Sequence, residues 1–257
     1  MSGVLSNLLE NFLHRRVLRR WAQSADAAPA TDLESLRSLR SRARGLRRNL
    51  DRVIHEADHR LALPVIGSNA IRKPFGTDWA WRPEMWKGPM PVPGFSGVPG
   101  KAEIGPGTTL FHDCRRSELT ARQIRNTREA DIAPFGLRMD VFRFDGSFLS
   151  LVLELPPEAA LGLRLRHLIR CDVIVEMEKP LEIFARLNIK HGPNVEQIVR
   201  ELPLNEEEVM VEFDLAYSKI NEKRVERLWV DLIFEGPEMN QIILRDVTFS
   251  RRPRADL

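Results

Sequence analysis

Cysteine is almost missing from this chain: Cys114 and Cys171 are the two present in 257 residues, too few for a disulfide framework. Both fall in alternating apolar stretches, which predicts buried, reduced thiols. No run approaches the ~20 consecutive apolar residues that a membrane-spanning helix needs. At the N-terminus the arginines follow the apolar residues instead of preceding them, so no secretory signal is expected and the cytoplasm is the expected location. There is no Gly-rich phosphate loop between a strand and a helix and no G-x-S-x-G elbow. Those absences remove the signatures of nucleotide binding and of serine hydrolysis, and no cofactor or catalytic activity is expected.

What is present is a large apolar fraction and an uneven charge. Hydrophobic residues make up 43% of the chain, enough for a sizeable core. The net charge of +3 divides into +5 over residues 1–63 and −2 over the remainder. All 12 cations of the first stretch are Arg. A basic arm of this kind suits nucleic acid or an anionic membrane surface. A solvated helix face with i,i+4 charge pairs is the favoured reading.

Residues 1–63 read as a basic helical segment, with helices over about residues 3–21 and 32–62. From Val4 to Leu13 the apolar positions lie on one helical face. The phase then slips, because Arg16, Arg19 and Arg20 take that face while Val17, Leu18 and Trp21 leave it. Such a stretch docks on its own protein more readily than on a membrane. Residues 22–30, with Pro29, read as a linker or a helix stop. Thr31 and Glu34 suggest a capping box. Leu36, Leu39, Ala43, Leu46, Leu50, Val53 and Ala57 then recur at alternating spacings of 3 and 4. This heptad pattern keeps one seam facing a partner helix. The partner is either the first helix, folded back, or a second copy of the chain. Leu36, Leu39, Leu46, Leu50 and Val53 carry the expected homo-oligomer contact, and Pro64 closes the segment.

His55, Glu56 and His59 spell H-E-x-x-H, which on a helix can hold zinc with the Glu as general base. Here the histidines point away from the apolar seam, toward water. Asp58 and Arg60 place charges within and beside the motif. The expectation is therefore a solvated face without metal, His55 and His59 being remote candidate ligands.

Residues 64–107 carry eight prolines, so any regular structure must be short. The stretch also holds Trp79, Trp81 and Trp86, more aromatic surface than a disordered linker carries. It is predicted to be an ordered strap packed on the domain that follows. Its tryptophans either cap a core or offer stacking faces to a sugar.

From about residue 108 the period changes to two. Leu137, Met139 and Val141 lead through Phe142 and Phe144 to Asp145-Gly146, a predicted hairpin turn, and Leu149 to Leu155 return. Ile169 to Met177, Leu181 to Ile189, Val209 to Tyr217, Leu228 to Phe234 and Ile242 to Phe249 continue the alternation. Short helical pieces are expected at 157–163 and 194–201. The fold class predicted is α+β, mainly β: amphipathic, coiled-coil-like helices followed by an antiparallel, jelly-roll-like β-sandwich over 108–257.

The outward strand positions are rich in charge. Glu182, Arg186, Asn188 and Lys190 share one face, as do Glu212 with Asp214 and Asp231 with Glu235. Arg186, Asn188 and Lys190 join the three tryptophans as candidate ligand-binding residues for a glycan. The alternative is the ordinary wet side of a half-buried sheet. His112 with Cys114 falls short of a zinc site. His167, Cys171 and Asp172 imitate part of a nucleophile site, but Cys171 belongs to an apolar alternation and reads as core.

Leu110-Phe111-His112-Asp113-Cys114 and Phe144-Asp145-Gly146-Ser147-Phe148 lie within Thr109 to Leu155. That stretch resembles an uncharacterised bacterial family described as a domain of unknown function. Gly76-Thr77-Asp78-Trp79-Ala80-Trp81, Glu235-Gly236-Pro237 and Leu244-Arg245-Asp246-Val247 fit the same family. The resemblance implies no activity and adds no site residues. At fold level the last strand, with Asp246 before Val247, Thr248 and Phe249, resembles the closing strand of jelly-roll carbohydrate-binding modules. The function expected is a non-catalytic binding or assembly protein, with a lectin-like module as the alternative and a zinc hydrolase as a remote one. The ligand is then a protein or a glycan.

Overall fold

The computed structural model describes residues 2–65 and 70–254, with side chains described for 15–54, 57 and 70–254. The chain divides into a helical unit, Met1–Ile54, and a β-rich unit, His55–Leu257.

The helical unit holds α1 (Ser2–Ala27) and the start of α2 (Leu33–Val65), joined through a 3-10 turn at Ala28–Ala30. Asp32, one residue later than the capping box suggests, starts α2: its Oδ1 accepts the N–H groups of Glu34 and Ser35 at 3.1 and 3.0 Å. Thr31 instead turns its hydroxyl back to the Ala27 carbonyl. A carboxylate here meets the unpaired donors of the first turn and the positive end of the helix dipole, and the bond from Ser35 holds Asp32 below the usual carboxylate range. Along α2, Leu36, Leu39 and Ala43 are half-buried, whereas Leu50 is 51% and Val53 66% exposed. Among the described residues no helix is long and apolar enough to cross a membrane.

The second unit is an antiparallel sandwich. Its strands are β1 (Trp79–Trp81), β2 (Gly94–Ser96), β3 (Lys101–Gly105), β4 (Thr108–His112), β5 (Leu119–Arg125), β6 (Phe135–Val141) and β7 (Leu149–Glu154). They continue as β8 (His167–Met177), β9 (Glu182–His191), β10 (Asn194–Glu201), β11 (Glu208–Asp214), β12 (Val225–Glu235) and β13 (Asn240–Pro253), and a one-turn helix α3 (Glu84–Lys87) follows β1. One sheet runs β11-β8-β13-β6-β5-β2, with β1 on β13; the other runs β10-β9-β12-β7-β4-β3. Alternate residues face the partner sheet. Leu149, Leu151, Leu153, Ile183, Leu187, Val230 and Leu232 from one sheet therefore meet Leu137, Met139, Ile169, Val173, Leu244 and Phe249 from the other, all buried.

The stretch read as a strap supplies β1, β2 and β3 to both sheets. The β1 strand occupies the far half of β13, beyond the register shift between Leu244 and Asp246, while β6 occupies the near half. At that bulge Arg82 meets Asp246 through two parallel bonds of 2.8 and 2.7 Å, both side chains buried.

Two local expectations are corrected. Asp145-Gly146 does not close a hairpin, because β6 and β7 lie in different sheets and residues 142–148 cross between them. Alternation gives the face of each strand but not the sheet it joins, so the turn signal was read against the wrong partner. Residues 194–201 are not helical. They form the edge strand β10, paired with β9 in full register across a turn in which Gly192 takes φ 61°. An edge strand buries little, and its Val195 and Val199 stay exposed, which masked its period.

Candidate functional site

The outer face of the β10–β3 sheet is where polar and aromatic side chains collect. Strand register sets them in rows. Phe184, Ile233, Ser150 and Phe111 form one row, Arg186, Asp231, Val152 and Thr109 the next, and Asn188, Trp229 and Glu154 a third. A groove of about 460 Å³ opens over these rows, lined by Phe111, Phe148, Val152, Trp229 and Ile233 together with Ser150, Arg186 and Asp231.

The apolar part of the floor is only half-buried, Phe111, Val152, Trp229 and Ile233 having no covering layer among the described residues of the β-rich unit. Arg227 stands beside it with its guanidinium 4.7 Å from the Trp229 ring centroid. The polar part is built more tightly. Asp231 is 3% exposed, and its Oδ2 accepts Nε and Nη2 of Arg186 at 2.8 and 2.7 Å and the Asn188 amide at 3.0 Å. Asn188, buried, returns its carbonyl to Gln197 of β10 at 2.8 Å. The Ser150 hydroxyl is buried with no hydrogen-bond partner among the described residues. A buried hydroxyl of this kind is an anomaly in a folded protein, and this one sits in the groove wall. The arrangement combines flat apolar surface with fixed donors and acceptors, the composition of a small-ligand site.

One end of the groove is held by a clasp between two loops. Asp113 accepts the N–H and the hydroxyl of Ser147, each at 2.6 Å, and the N–H of Phe148 at 3.3 Å. The Ser147 hydroxyl is the main cause that keeps the Asp113 carboxyl below its usual range. In return Asp145 Oδ1 accepts the Arg115 N–H at 3.1 Å. A Cβ at position 146 would lie 2.6 Å from Asp113 Oδ1 and 3.0 Å from the Cys114 nitrogen. The Asp-Gly pair serves close approach between loops here, and through Phe148 it fixes one wall of the groove.

The sequence profile of the family of unknown function DUF6478 matches residues 1–257. The chain belongs to DUF6478. No curated protein matches it. Among solved structures it is similar to the family 11 carbohydrate-binding module from Clostridium thermocellum in complex with a β-1,3-1,4-mixed-linked tetrasaccharide. The match has 10% identity and a TM-score of 0.39, covering 65% of this chain and 100% of that one. The enzymatically active domain of bacteriophage CBA120 tailspike protein 4 matches with 7% identity and a TM-score of 0.38, over 55% of this chain and 19% of that one. The xylan-binding domain from Paenibacillus barcinonensis matches with 9% identity and a TM-score of 0.33, over 57% and 87%.

In this DUF6478 chain the residues singled out from sequence separate onto the two sheets. Arg186 lines the groove and Asn188 supports its floor. Lys190 lies one row further out on the same face, bonded at 2.7 Å to Glu226, whose carboxyl it holds below the usual range. The three tryptophans belong to the other side of the sandwich. Trp86 has no exposed surface and donates its indole N–H to the Leu244 carbonyl at 2.9 Å, so it is core. Trp81 stacks on Phe249 with centroids 6.0 Å apart, and Trp79 is half-buried on the same short strand.

Among the described residues none of the remaining candidates assembles. His112 Nε2 bonds the Val98 carbonyl at 2.8 Å and Nδ1 accepts the Cys114 N–H at 3.1 Å, which leaves no lone pair for a metal. Burial pushes the Cys171 thiol far up, so it stays protonated. His167 accepts the Arg164 N–H, and burial lowers its pKa. The side chains of His55, Glu56 and His59 lie outside the described residues. No group of three or more potential metal ligands occurs among the described residues.

Trp229, Phe111, Phe148, Ser150 and Asp231 were not singled out as ligand-binding residues. A signal for one of them was present. Leu228, Val230, Leu232 and Phe234 define the inward phase of β12, which puts Trp229, the largest side chain of that strand, on the water side.

Proposed function

We propose that this protein is a non-catalytic binding protein and that the groove over β12 holds a saccharide. The observation that carries the proposal is the pairing of an uncovered Trp229–Phe111–Ile233 floor with the Asp231–Arg186–Asn188 cluster and the unpartnered Ser150 hydroxyl. A sugar ring has an apolar C–H face and a rim of hydroxyls. The first suits a flat indole, and the second suits carboxylate oxygens, guanidinium and a free hydroxyl. The non-catalytic reading is supported by the lining itself. Asp231 is the single carboxylate among the lining residues and is already committed to Arg186, whereas glycosidic cleavage ordinarily employs two.

Titration of the full chain with linear β-glucan, xylan, mannan and galactan fragments, followed by calorimetry and indole fluorescence, tests this. Saturable binding of at least one series, with a change in indole emission, is expected. Absence of both signals across all four contradicts the proposal.

The exposed seam of α2 favours a second, compatible role in assembly. Leu46, Leu50 and Val53 leave apolar surface in water at heptad spacing, and a second copy of the helix would cover it. Light scattering is expected to give a dimer or larger for the unaltered chain and a monomer for Leu46→Glu/Leu50→Glu. A monomer in both cases contradicts self-association.

A further inference from the structure

We infer that the saccharide is acidic and that its charged group is read by three arginines at the Phe111–Phe148 end of the groove. This rests on the groove being the saccharide site. Arg115 and Arg116 from one loop and Arg143 from the other line a second pocket of about 350 Å³ together with Asp145. All three arginines are exposed, and none of their guanidinium groups pairs with a carboxylate among the described residues. Elsewhere in the sandwich Arg138, Arg170, Arg186 and Arg245 each have an acidic partner within 3 Å.

The clasp holds this cluster in place. Asp145, the acidic group of the pocket, accepts the Arg115 backbone N–H through Oδ1, and Asp113 ties Ser147 and Phe148 to the opposite loop. Three like charges gathered on two tethered loops repel one another, and an anion seated between them relieves that repulsion. Guanidinium groups pair with carboxylate and sulfate through two parallel bonds.

The pocket lies close to the groove along the chain. Phe148 lines the groove and Asp145 the pocket. Two residues lie between them, so their Cα atoms are at most roughly 11 Å apart. A chain of sugars lying over Trp229 and leaving past Phe148 would deliver a substituent to the arginines. A nucleic acid fits less well, because its evenly spaced phosphates would run along the groove past the Asp231 carboxylate, where Arg186, Lys190 and Arg227 already face carboxylates, whereas Arg115, Arg116 and Arg143 stand at one end.

The test uses the full chain and matched pairs of ligands. Oligogalacturonates are compared with the same oligomers after carboxyl reduction, and sulfated glycosaminoglycan fragments with their desulfated forms. A single-stranded oligonucleotide is the third probe, and Arg115→Gln/Arg116→Gln/Arg143→Gln is the variant. At low salt at least one acidic member is expected to bind about tenfold tighter than its neutral partner, with the preference shrinking as salt is added. In the variant the preference is expected to vanish while the neutral oligomer binds as before.

Equal affinity within every pair overturns the inference and leaves the saccharide groove standing. A preference that survives in the variant overturns it as well, by placing the acid elsewhere. Tighter binding of the oligonucleotide than of any acidic oligosaccharide also overturns it. No binding by any of these probes overturns the inference, and the groove reading is then decided by the four neutral series alone.

Discussion

Replacing Arg82 with Met is expected to lower the unfolding free energy by about 3–5 kcal/mol, because it strands a buried carboxylate. The Arg82 side chain is 1% and that of Asp246 9% exposed, so neither group has water to fall back on. Burial pushes the Asp246 carboxyl up, and the bonds from Arg82 only partly pull it back. The pair therefore returns little beyond its own desolvation, and its role is geometric: it locks the residue after β1 onto the bulge of β13. With Arg82 removed, the folded-state pKa of Asp246 rises further. The deficit is then smallest below the unfolded carboxyl value of about 3.8 and grows as the pH rises through the raised folded value. Arg82→Met/Asp246→Leu removes both charges and is expected to recover most of the loss. Urea unfolding followed by indole fluorescence measures each case. A single variant within about 1 kcal/mol of the unaltered protein would contradict this account of the pair.

The second large effect concerns binding. Trp229→Ala is expected to weaken the groove's saccharide ligand by about 2 kcal/mol, roughly thirtyfold, the size typical of a tryptophan anchor. Its cost in stability is expected to be small, about 1 kcal/mol or less, because the ring stands half-buried on the water side of β12. Trp81→Ala provides the contrast. Its ring stacks on Phe249 of the core, so stability is expected to fall by about 1–3 kcal/mol while binding is unchanged. The reverse pattern would return the site to the sheet that carries β1.

The sandwich was legible because period-two alternation is forced wherever a strand buries one face. Leu149, Leu151 and Leu153, or Leu228 to Phe234, fix their inward phase without knowledge of any partner. The outward phase was legible too, and it placed Arg186 and Asn188 correctly on one face. Neither the identity of the partner strand nor the sheet each strand joins could be read. Sheet membership is decided by contacts between residues distant in sequence, such as Trp229 opposite both Asn188 and Glu154, and alternation is the same in either sheet. Asp145-Gly146 shows the consequence. Its composition marks a tight place in the chain, but the tightness comes from Asp113 and Cys114 in another loop.

The role of the tryptophans was less legible for a related reason. The proline-rich sequence around Trp79, Trp81 and Trp86 predicts an ordered strap whose tryptophans cap a core or stack on a sugar; short strands there complete the sheets, and Trp86 is as buried as any core leucine. Trp229 sits inside a regular strand and looked like part of the alternation. Polar clusters such as Asp231 with Arg186 and Asn188 depend on cross-strand register, which no local pattern encodes.

The most direct measurement is a map of amide chemical-shift changes over the isotopically labelled full chain during titration with a saccharide that it binds. Changes are expected to concentrate on β4, β7, β9 and β12 around Phe111, Ser150, Arg186, Trp229 and Asp231, extending to Arg115 and Arg143 when the ligand is acidic. Changes centred on β1 and α3, or on the helical unit, with the β12 face silent, would contradict that placement.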